Sequence, residues 1–123
     1  MTDSSSPLRV GVVGLGAIGQ RLLGVFGAHP EVVVTAVSDL NRALSGETAS
    51  RVRAASVEDP LDLVSRDDVD LVYVAVPPAA HRELVLAAAR HGKHVLCEKP
   101  LATSAADGRE MLEAVRAAGV VHA

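Results

Sequence analysis

The sequence has very few aromatic residues: its 123 residues include one tyrosine, one phenylalanine and no tryptophan. Proteins that bind single-stranded nucleic acids stack the bases on aromatic side chains, so this scarcity argues against that class. The formal net charge of −3 also gives no basic surface that would attract DNA, RNA or an anionic membrane. We therefore expect no nucleic acid and no membrane among its partners.

Cysteines and long apolar runs are scarce as well. Cys97 is the only cysteine, so no internal disulfide can form, which fits a reducing compartment such as the cytoplasm. The apolar run at residues 71–76 stops at Pro77, far short of the length of a membrane span. Residues 1–7 lack the apolar stretch of a signal peptide and are expected to be a disordered N-terminal tail. These features predict a cytoplasmic protein.

The chain does contain many apolar residues, 49% of the total, in short β-rich runs that alternate with helical patterns. That alternation is typical of βαβ units around a parallel sheet. Strands are predicted at residues 8–13, 32–37, 53–57, 71–76 and 95–97, with the start of another at 120–123. Helices are predicted at residues 17–29, 41–52, 80–91 and 104–119, with a short one after residue 59. The fold class is therefore α/β: a single domain with a doubly wound, mostly parallel sheet.

Details within the predicted helices can be checked one by one. In the first helix, Ile18, Leu22, Val25 and Phe26 fall on one face, the pattern of a helix that packs on a sheet. The helix at 41–52 is the weakest prediction, because a Ser-Gly pair interrupts it. Capping residues mark the others: Asp followed by Pro at 59–60, a Ser-x-x-Asp at 104–107, and a closing glycine at 119.

The hexapeptide GLGAIG at residues 14–19 matches G-x-G-x-x-G, between a predicted strand and a predicted helix. Gly14 permits the tight turn, Gly16 lets the backbone approach a pyrophosphate, and Gly19 lets the helix pack closely on the strand. The free N–H groups at the start of the helix, at Ala17 and Ile18, would then hold the diphosphate. The alternative is a glycine turn that binds no ligand. In this context the motif favours a dinucleotide-binding Rossmann domain.

Asp39 ends the second predicted strand, about twenty residues after the last glycine, where the acid that binds the adenosine ribose belongs. A carboxylate there accepts hydrogen bonds from both ribose hydroxyls and repels a 2′-phosphate, which favours NAD over NADP. Arg42 complicates this preference, because its guanidinium could pair with that phosphate. The alternative for Arg42 is a solvated surface charge. The sequence thus favours NAD and leaves NADP open.

The fourth predicted strand leads into Val76, Pro77 and, four residues later, His81. Prolines at the end of a strand form a rigid edge with few N–H donors. A nicotinamide ring or its ribose could lie against Val76 and Pro77. His81 falls in the first turn of the next helix, where it either faces the cofactor or is exposed to water. Both alternatives stay open for His81.

The tripeptide Glu98-Lys99-Pro100 follows the strand at 95–97. A lysine just past the carboxyl end of a strand lies at the crevice where open α/β sheets bind ligands. There it could hold a cofactor ribose or pass a proton to a substrate oxygen. The alternative is a surface ion pair with an incidental proline. We also hypothesise that a cis peptide bond before Pro100 directs the lysine.

Other reactive side chains do not form a recognisable site. His29, His91, His94 and His122 lie too far apart in the sequence, and with too few partners, to predict a metal centre. Cys97 is better explained as a small core residue than as a nucleophile. The sequence contains neither a Walker-type P-loop nor a nucleophile elbow. We therefore predict no metal site.

Together, the glycine motif, Asp39, the Pro-x-x-x-His from Pro77 to His81, and Glu98-Lys99-Pro100 resemble one family. It is the Gfo/Idh/MocA oxidoreductases, which include glucose–fructose oxidoreductase and inositol dehydrogenase. The glycine motif is shared with many dehydrogenases, whereas Glu-Lys-Pro at this distance is far more specific. The resemblance runs from residue 8 to the end and implies the N-terminal NAD(P)-binding Rossmann domain.

The resemblance also implies roles for three residues. Lys99 would contact the nicotinamide ribose and the substrate hydroxyl as a catalytic residue, Glu98 would bind or orient the cofactor, and His81 would lie near the nicotinamide. Such enzymes exchange a hydride between a sugar or cyclitol secondary alcohol and the nicotinamide. Their substrate domain follows the Rossmann half and is absent from this chain, so we expect this stretch alone to be inactive. Exposed surfaces would then favour a dimer or an aggregation-prone monomer.

Two other functions compete with this one. The chain could be a stand-alone dinucleotide-binding module with a regulatory or interaction role and no catalysis. It could also belong to another class of Rossmann dehydrogenase, such as an amino-acid-pathway enzyme, although Glu98-Lys99-Pro100 argues against that class.

Overall fold

One parallel sheet forms the centre of the computed structural model, which describes residues 6–123. Its strands are β1 (Leu8–Val13), β2 (Val32–Ser38), β3 (Ala55–Ser56), β4 (Leu71–Val74) and β5 (His94–Cys97). They lie in the order β3-β2-β1-β4-β5, and every pair of neighbours is parallel. The chain therefore winds outward from β1 to β3 and then returns to the other side of β1. This doubly wound arrangement confirms the predicted α/β fold class.

Helices cover both faces of the sheet. They are α1 (Ala17–Ala28), α2 (Arg42–Val52), α3 (Pro60–Val64), α4 (His81–Arg90) and α5 (Ala105–Ala118). One apolar cluster, on the face of α1 and α2, contains Val10, Val12, Leu15, Leu23, Ala49 and Tyr73. The other, on the face of α3, α4 and α5, contains Val13, Leu63, Val72, Leu84, Met111 and Val115. Alternate residues of β1 and β4 thus enter opposite cores, as the period of a strand requires.

The buried face of α1 differs from the predicted one. Gly19 and Leu23 are buried, whereas Ile18 and Val25 are 41% and 58% exposed. The reason is the contact at Gly19, where a Cβ atom would lie only 1.9 Å from the carbonyl oxygen of Gly14. Because that approach decides which side of the helix faces the sheet, apolar periodicity alone predicted the wrong face for Ile18 and Val25.

Several element boundaries also moved. The helix α2 runs without interruption through its Ser-Gly pair, and its N-cap Asn41 accepts a hydrogen bond from the N–H of Leu44 at 3.0 Å. Strand β4 ends at Val74 rather than at residue 76, although Ala75 still donates to the carbonyl of Val13 at 2.8 Å. A 3₁₀ turn, Pro78–Ala80, then precedes α4, which therefore begins at His81.

The predicted caps are confirmed, whereas the strand predicted to start at residues 120–123 is present only as an isolated parallel bridge between Val95 and His122. Asp59 accepts from the N–H of Leu61 at 2.9 Å, and Ser104 accepts from the N–H of Asp107 at 3.1 Å. The glycine at 119 closes α5 in the left-handed conformation. After it, residues 120–123 extend along β5, where the N–H of Cys97 donates to the carbonyl of Ala123 at 2.9 Å.

The N-terminal tail is only partly covered by the structure. Residues 1–5 lie outside the described residues, and residues 6 and 7 are exposed just before β1. The predicted disorder of residues 1–7 therefore stays a prediction. Within the described part of the chain, no helix has both the length and the apolar character needed to cross a bilayer.

Candidate functional site

The glycine turn between β1 and α1 has two positions at which the packing of the protein leaves no room for a side chain. Gly14 has a φ of +100°, a region that side-chain-bearing residues rarely adopt, and its N–H donates to the carbonyl of Ser38 at 2.9 Å. A Cβ atom at Gly14 would lie 2.5 Å from the carbonyl oxygen of Ala75. Gly19 is equally constrained, as described for α1. These two glycines therefore allow the strand, the turn and the helix to pack closely.

Gly16 needs a different explanation. A Cβ atom there would meet no protein atom within 4 Å, and the backbone has an ordinary extended conformation with φ −71° and ψ −166°. Gly16 is the N-cap of α1, no side chain caps that end, and no acidic residue lies in the first turn. The unpaired N–H groups and the positive dipole end of α1 thus face open space. That arrangement fits a diphosphate, which needs close approach to the backbone.

Asp39 lies beside this turn, at the end of β2. Its Oδ2 accepts a hydrogen bond from the N–H of Leu15 at 2.7 Å, and its Oδ1 accepts from the N–H of Asn41 at 2.8 Å. The carboxylate therefore holds the glycine turn in place from the neighbouring strand. Each carboxylate oxygen can accept more than one hydrogen bond, so capacity remains for ribose hydroxyls.

A crevice of about 260 Å³ connects these groups. It is lined by Val13, Gly14, Gly16, Ser38, Asp39, Leu40, Pro60, Ala75, Val76 and Pro77. These residues come from the carboxyl ends of β1, β2 and β4, which is where open α/β sheets bind ligands. Predicted site residues Gly14, Gly16, Asp39, Val76 and Pro77 are thus brought together.

Leu40 is an exposed residue that the sequence analysis missed. Its side chain is 95% exposed and lines both this crevice and an adjoining cavity of about 380 Å³. The adjoining cavity also contains Pro60, Val76 and Pro77. A fully exposed leucine beside a charged turn offers an apolar surface to a flat ring. Its position directly after Asp39 is the signal that would have identified it.

Arg42 forms an ion pair with Glu58, which follows β3. Both side chains are largely exposed, and they line a small polar cavity on the far side of Asp39. Arg42 is therefore a largely exposed surface charge, as one alternative held, and its guanidinium is paired with Glu58. The sequence did not identify Glu58 as a partner, because the two positions are 16 apart in the chain.

His81 is completely buried, so the alternative of a water-exposed histidine is wrong. Its Nε2 lies 2.7 Å from the carbonyl oxygen of Val76, and its Nδ1 lies 3.1 Å from that of Leu101 and 3.3 Å from the Cys97 sulfur. A carbonyl oxygen can only accept, so Nε2–H donates across the shorter distance to Val76, and Nδ1 lies between the Leu101 carbonyl and the thiol. His81 thus joins the end of β4 to the segment after β5. Its contact with a cofactor stays a prediction.

The Cys97 thiol is held in its neutral form. Burial, and then the negative charge of Glu98, raise the pKa of Cys97 to about 11. A neutral thiol is a weak nucleophile, and this one lies 3.3 Å from Nδ1 of His81 and 3.6 Å from the carbonyl oxygen of Glu98. The sequence-based preference for a packing role over a nucleophilic one is consistent with this environment.

Glu98 is anchored to β4 by two hydrogen bonds. Its N–H donates to the carbonyl of Val74 at 2.9 Å, and its Oε2 accepts from the hydroxyl of Tyr73 at 2.7 Å. The Tyr73 hydroxyl, and after it the backbone N–H of Lys99, lower the pKa of the Glu98 carboxyl. Burial, and then Glu98, raise the pKa of Tyr73. A carboxylate and a neutral phenol are therefore the stable pair. The sequence did not single out Tyr73, because it stands there as one residue among the others of a buried strand.

The chain is held in place on both sides of Lys99. Glu98, before it, is hydrogen-bonded to β4, and the carbonyl oxygen of Leu101, two residues after it, lies 3.1 Å from Nδ1 of His81. The Lys99–Pro100 peptide bond is cis, as hypothesised. The Lys99 side chain is exposed and does not line the 260 Å³ crevice. The structure thus places its backbone beside β4, at the same edge of the sheet as the crevice.

Within residues 6–123, no three histidine, cysteine or acidic side chains lie close enough to hold a metal ion. A groove of about 620 Å³ lies elsewhere, between α4 and α5. It contains none of the predicted site residues. The glycine turn, Asp39 and the end of β4 therefore define the candidate site.

Comparison with known proteins agrees with this geometry. The model of the Gfo/Idh/MocA family, described as an oxidoreductase family with an NAD-binding Rossmann fold, matches residues 8–123. The chain belongs to this family. The resemblance inferred from the glycine motif and Glu98-Lys99-Pro100 is therefore confirmed, and the alternative of an unrelated Rossmann dehydrogenase is wrong.

Three relatives illustrate what this Gfo/Idh/MocA chain is similar to. A dTDP-3,4-didehydro-2,6-dideoxy-alpha-D-glucose 3-reductase from Streptomyces violaceoruber is 39% identical over 98% of the chain and 35% of the relative. An inositol 2-dehydrogenase from Rubrobacter xylanophilus is 39% identical over 93% of the chain and 33% of the relative. The crystal structure of a 3-ketoreductase from Actinomadura kijaniata with NADP and TDP-benzene is 37% identical, with a TM-score of 0.87. That match covers 94% of this chain and 36% of the other. The chain thus spans about a third of the length of these relatives.

Proposed function

We propose that residues 8–123 form the NAD(P)-binding domain of an oxidoreductase. The reaction is hydride transfer between a nicotinamide and the secondary alcohol of a sugar or cyclitol. The observation that carries the proposal is the open space above Gly16, at the uncapped start of α1 and next to Asp39. The other two glycines are explained by packing, whereas this one is explained by a ligand that must approach the backbone.

Each part of the crevice has a separate task in binding. The N–H groups of Ala17 and Ile18 would hold the diphosphate, and the Asp39 carboxylate would accept from the adenosine ribose hydroxyls. Val76 and Pro77, which line the crevice at the end of β4, would contact the nicotinamide half. NAD is the favoured cofactor and NADP is an alternative, because one structural neighbour was crystallised with NADP.

The segment after β5 would serve the reacting end. Hydride acceptance or donation is the chemistry that the nicotinamide supplies when bound. Lys99 is proposed as the catalytic residue that holds or moves the proton at the alcohol oxygen, because its side chain is exposed and it directly follows Glu98, whose N–H is bound to the end of β4. Glu98, whose carboxylate accepts from the Tyr73 hydroxyl, would hold the segment after β5 against β4. His81 would act on the nicotinamide side of the site through Val76, whose carbonyl it binds.

The names of the relatives support the substrate class. They are a reductase of a dTDP-linked deoxy sugar and an inositol dehydrogenase, so their names give a sugar and a cyclitol as substrates. The matched part is only about a third of each relative. A substrate pocket built by a further domain is therefore part of the proposal, and we expect the isolated stretch to be inactive. The competing function is a dinucleotide-binding module without catalysis.

Two measurements test the proposal. Calorimetric titration of the chain with NADH and NADPH should give saturable binding of at least one nucleotide, and failure to bind either would refute it. A turnover assay with NAD and polyols such as myo-inositol should show no reaction of this chain alone. Turnover would instead show that no further domain is needed. If a longer chain that includes the downstream domain also bound without turnover, the non-catalytic module would be favoured.

The surface of the domain supports the expected self-association. Several large apolar side chains are more than a third exposed: Leu8, Ile18, Val25, Val33, Leu40, Leu101 and Val121. Val121 is 70% exposed on the segment beside β5, at the edge of the sheet. Exposed apolar edges favour pairing with another chain. We therefore expect a dimer or larger species in sedimentation at high concentration, and a monomer under those conditions would contradict this.

A further inference from the structure

A small polar cavity lies beside the proposed ribose site. It measures about 230 Å³ and is lined by Asp39, Arg42, Ser45, Ser56, Val57 and Glu58. Asp39 lines both this cavity and the 260 Å³ crevice, so the two spaces meet at its carboxylate. The hydroxyls of Ser45 and Ser56 are 2.8 Å apart and hydrogen-bonded to each other. A group attached to the adenosine ribose would therefore enter this cavity.

The charges around the cavity are unequal. Asp39 and Glu58 supply two carboxylates, and Arg42 supplies the single positive charge of the lining. The guanidinium of Arg42 is already paired with the Glu58 carboxylate. A phosphate group brings a further charge of roughly −1.5 to −2 at neutral pH. It would face two carboxylates and an arginine whose guanidinium is already paired with Glu58.

We propose that Glu58 is a specificity-determining residue: it holds Arg42 and adds a second carboxylate beside Asp39, and thereby disfavours the 2′-phosphate of NADP relative to NAD. The inference rests on the proposed function, since it concerns the same nucleotide site. Asp39 repels the phosphate from the ribose side, as the sequence suggests. Glu58 acts from the cavity side and also removes the cation that would otherwise attract the phosphate.

The geometry explains why Arg42 alone does not decide the preference between NAD and NADP. Arg42 and Glu58 come from α2 and from the segment after β3, and their side chains are 75% and 70% exposed. An exposed pair of this kind is weak enough to be broken by one substitution without unfolding the domain. Once Glu58 is neutral, Arg42, which already lines the cavity, is free to pair with a phosphate there through strong charge-assisted bonds.

The experiment is a comparison of dissociation constants for NADH and NADPH, measured by calorimetry on the 123-residue chain at low ionic strength. Glu58→Gln should tighten NADPH binding roughly three- to tenfold and change NADH binding by less than about twofold. The matched control is Glu47→Gln, which removes the same charge from an exposed position of α2 outside the cavity. It should leave the ratio of the two constants unchanged.

A double variant separates the two contributions of Glu58. In Arg42→Gln/Glu58→Gln, most of the gain for NADPH should disappear, because the cation that receives the phosphate is gone. The proposal is overturned if Glu58→Gln improves both nucleotides equally, or if Glu47→Gln gives the same gain. If the wild-type chain binds neither nucleotide, the proposed function fails, and the specificity proposal fails with it. An unchanged ratio in a chain that does bind would overturn the specificity proposal alone.

Discussion

Gly16 offers the sharpest test of the site, because the folded domain has no need of a glycine there. Its φ of −71° and ψ of −166° are available to alanine, and an added Cβ atom would meet nothing within 4 Å. In Gly16→Ala, two effects on the free energy of unfolding oppose each other. Alanine lowers the entropy of the unfolded chain, which stabilises the fold, but it is a poorer N-cap residue, which destabilises α1. We therefore expect the free energy of unfolding to change by less than about 1 kcal/mol.

The bound state should respond very differently. The new methyl group would occupy the space above the start of α1 in which the diphosphate is proposed to lie. Forcing one methyl group into a closely packed contact costs about 1–3 kcal/mol. Since each 1.4 kcal/mol is tenfold in affinity, Gly16→Ala should weaken NADH binding by about 5- to 150-fold.

Calorimetry with NADH and urea unfolding followed by circular dichroism measure the two effects on one preparation. Gly24→Ala is the matched control: Gly24 lies on α1, and an added Cβ atom there also meets nothing within 4 Å. It should bind NADH like the wild type, and the greater helix propensity of alanine should slightly raise its stability. If Gly16→Ala bound NADH as tightly as Gly24→Ala, the diphosphate would not lie against Gly16 and the assignment of the crevice would be wrong.

Other substitutions test the surroundings of the site. His81→Phe should lower the free energy of unfolding by about 1–3 kcal/mol, because it leaves the Val76 carbonyl without its donor; an unchanged urea midpoint would contradict the hydrogen bond. The pKa of Asp70 is lowered chiefly by its hydrogen bonds from Arg9, so this carboxylate stabilises the fold above pH ~4, and the contribution is lost as the pH falls through its native pKa. Asp70→Asn should therefore lower stability at pH 7 by an amount that shrinks as the pH falls below about 4, and a pH-independent difference in urea midpoints would exclude this linkage.

Much of the site was predictable because local chemistry and the strand–helix alternation agree. The glycine motif requires a strand before it and a helix after it, and both form where predicted. Asp39 was identified from its distance to that motif, and it indeed lies beside the turn, where it accepts from the N–H of Leu15. The order of strands in a doubly wound sheet then brings the ends of β1, β2 and β4 together.

Contacts between distant parts of the chain could not be predicted in the same way. Tyr73 and Glu98 are 25 residues apart, and only the parallel pairing of β4 with β5 brings the hydroxyl to the carboxylate. The pairing of Arg42 with Glu58 likewise depends on how α2 lies over β3. His81 was placed at the right helix, but whether it is exposed stayed open, because only the tertiary structure shows that α4 and the segment after β5 close over it.

The sequence by itself determined the fold class and the family, and it predicted the candidate nucleotide site. Those properties follow from residue types at short spacings, which restrict the backbone wherever the segment is placed. Tertiary structure alone decided which side of α1 is buried and how much open space lies beside each of the three glycines. The motif assigns a different role to each of Gly14, Gly16 and Gly19, and the packing of α1 against β1 and β4 agrees with those roles. An added Cβ atom would meet a carbonyl oxygen at Gly14 and at Gly19, and nothing within 4 Å at Gly16.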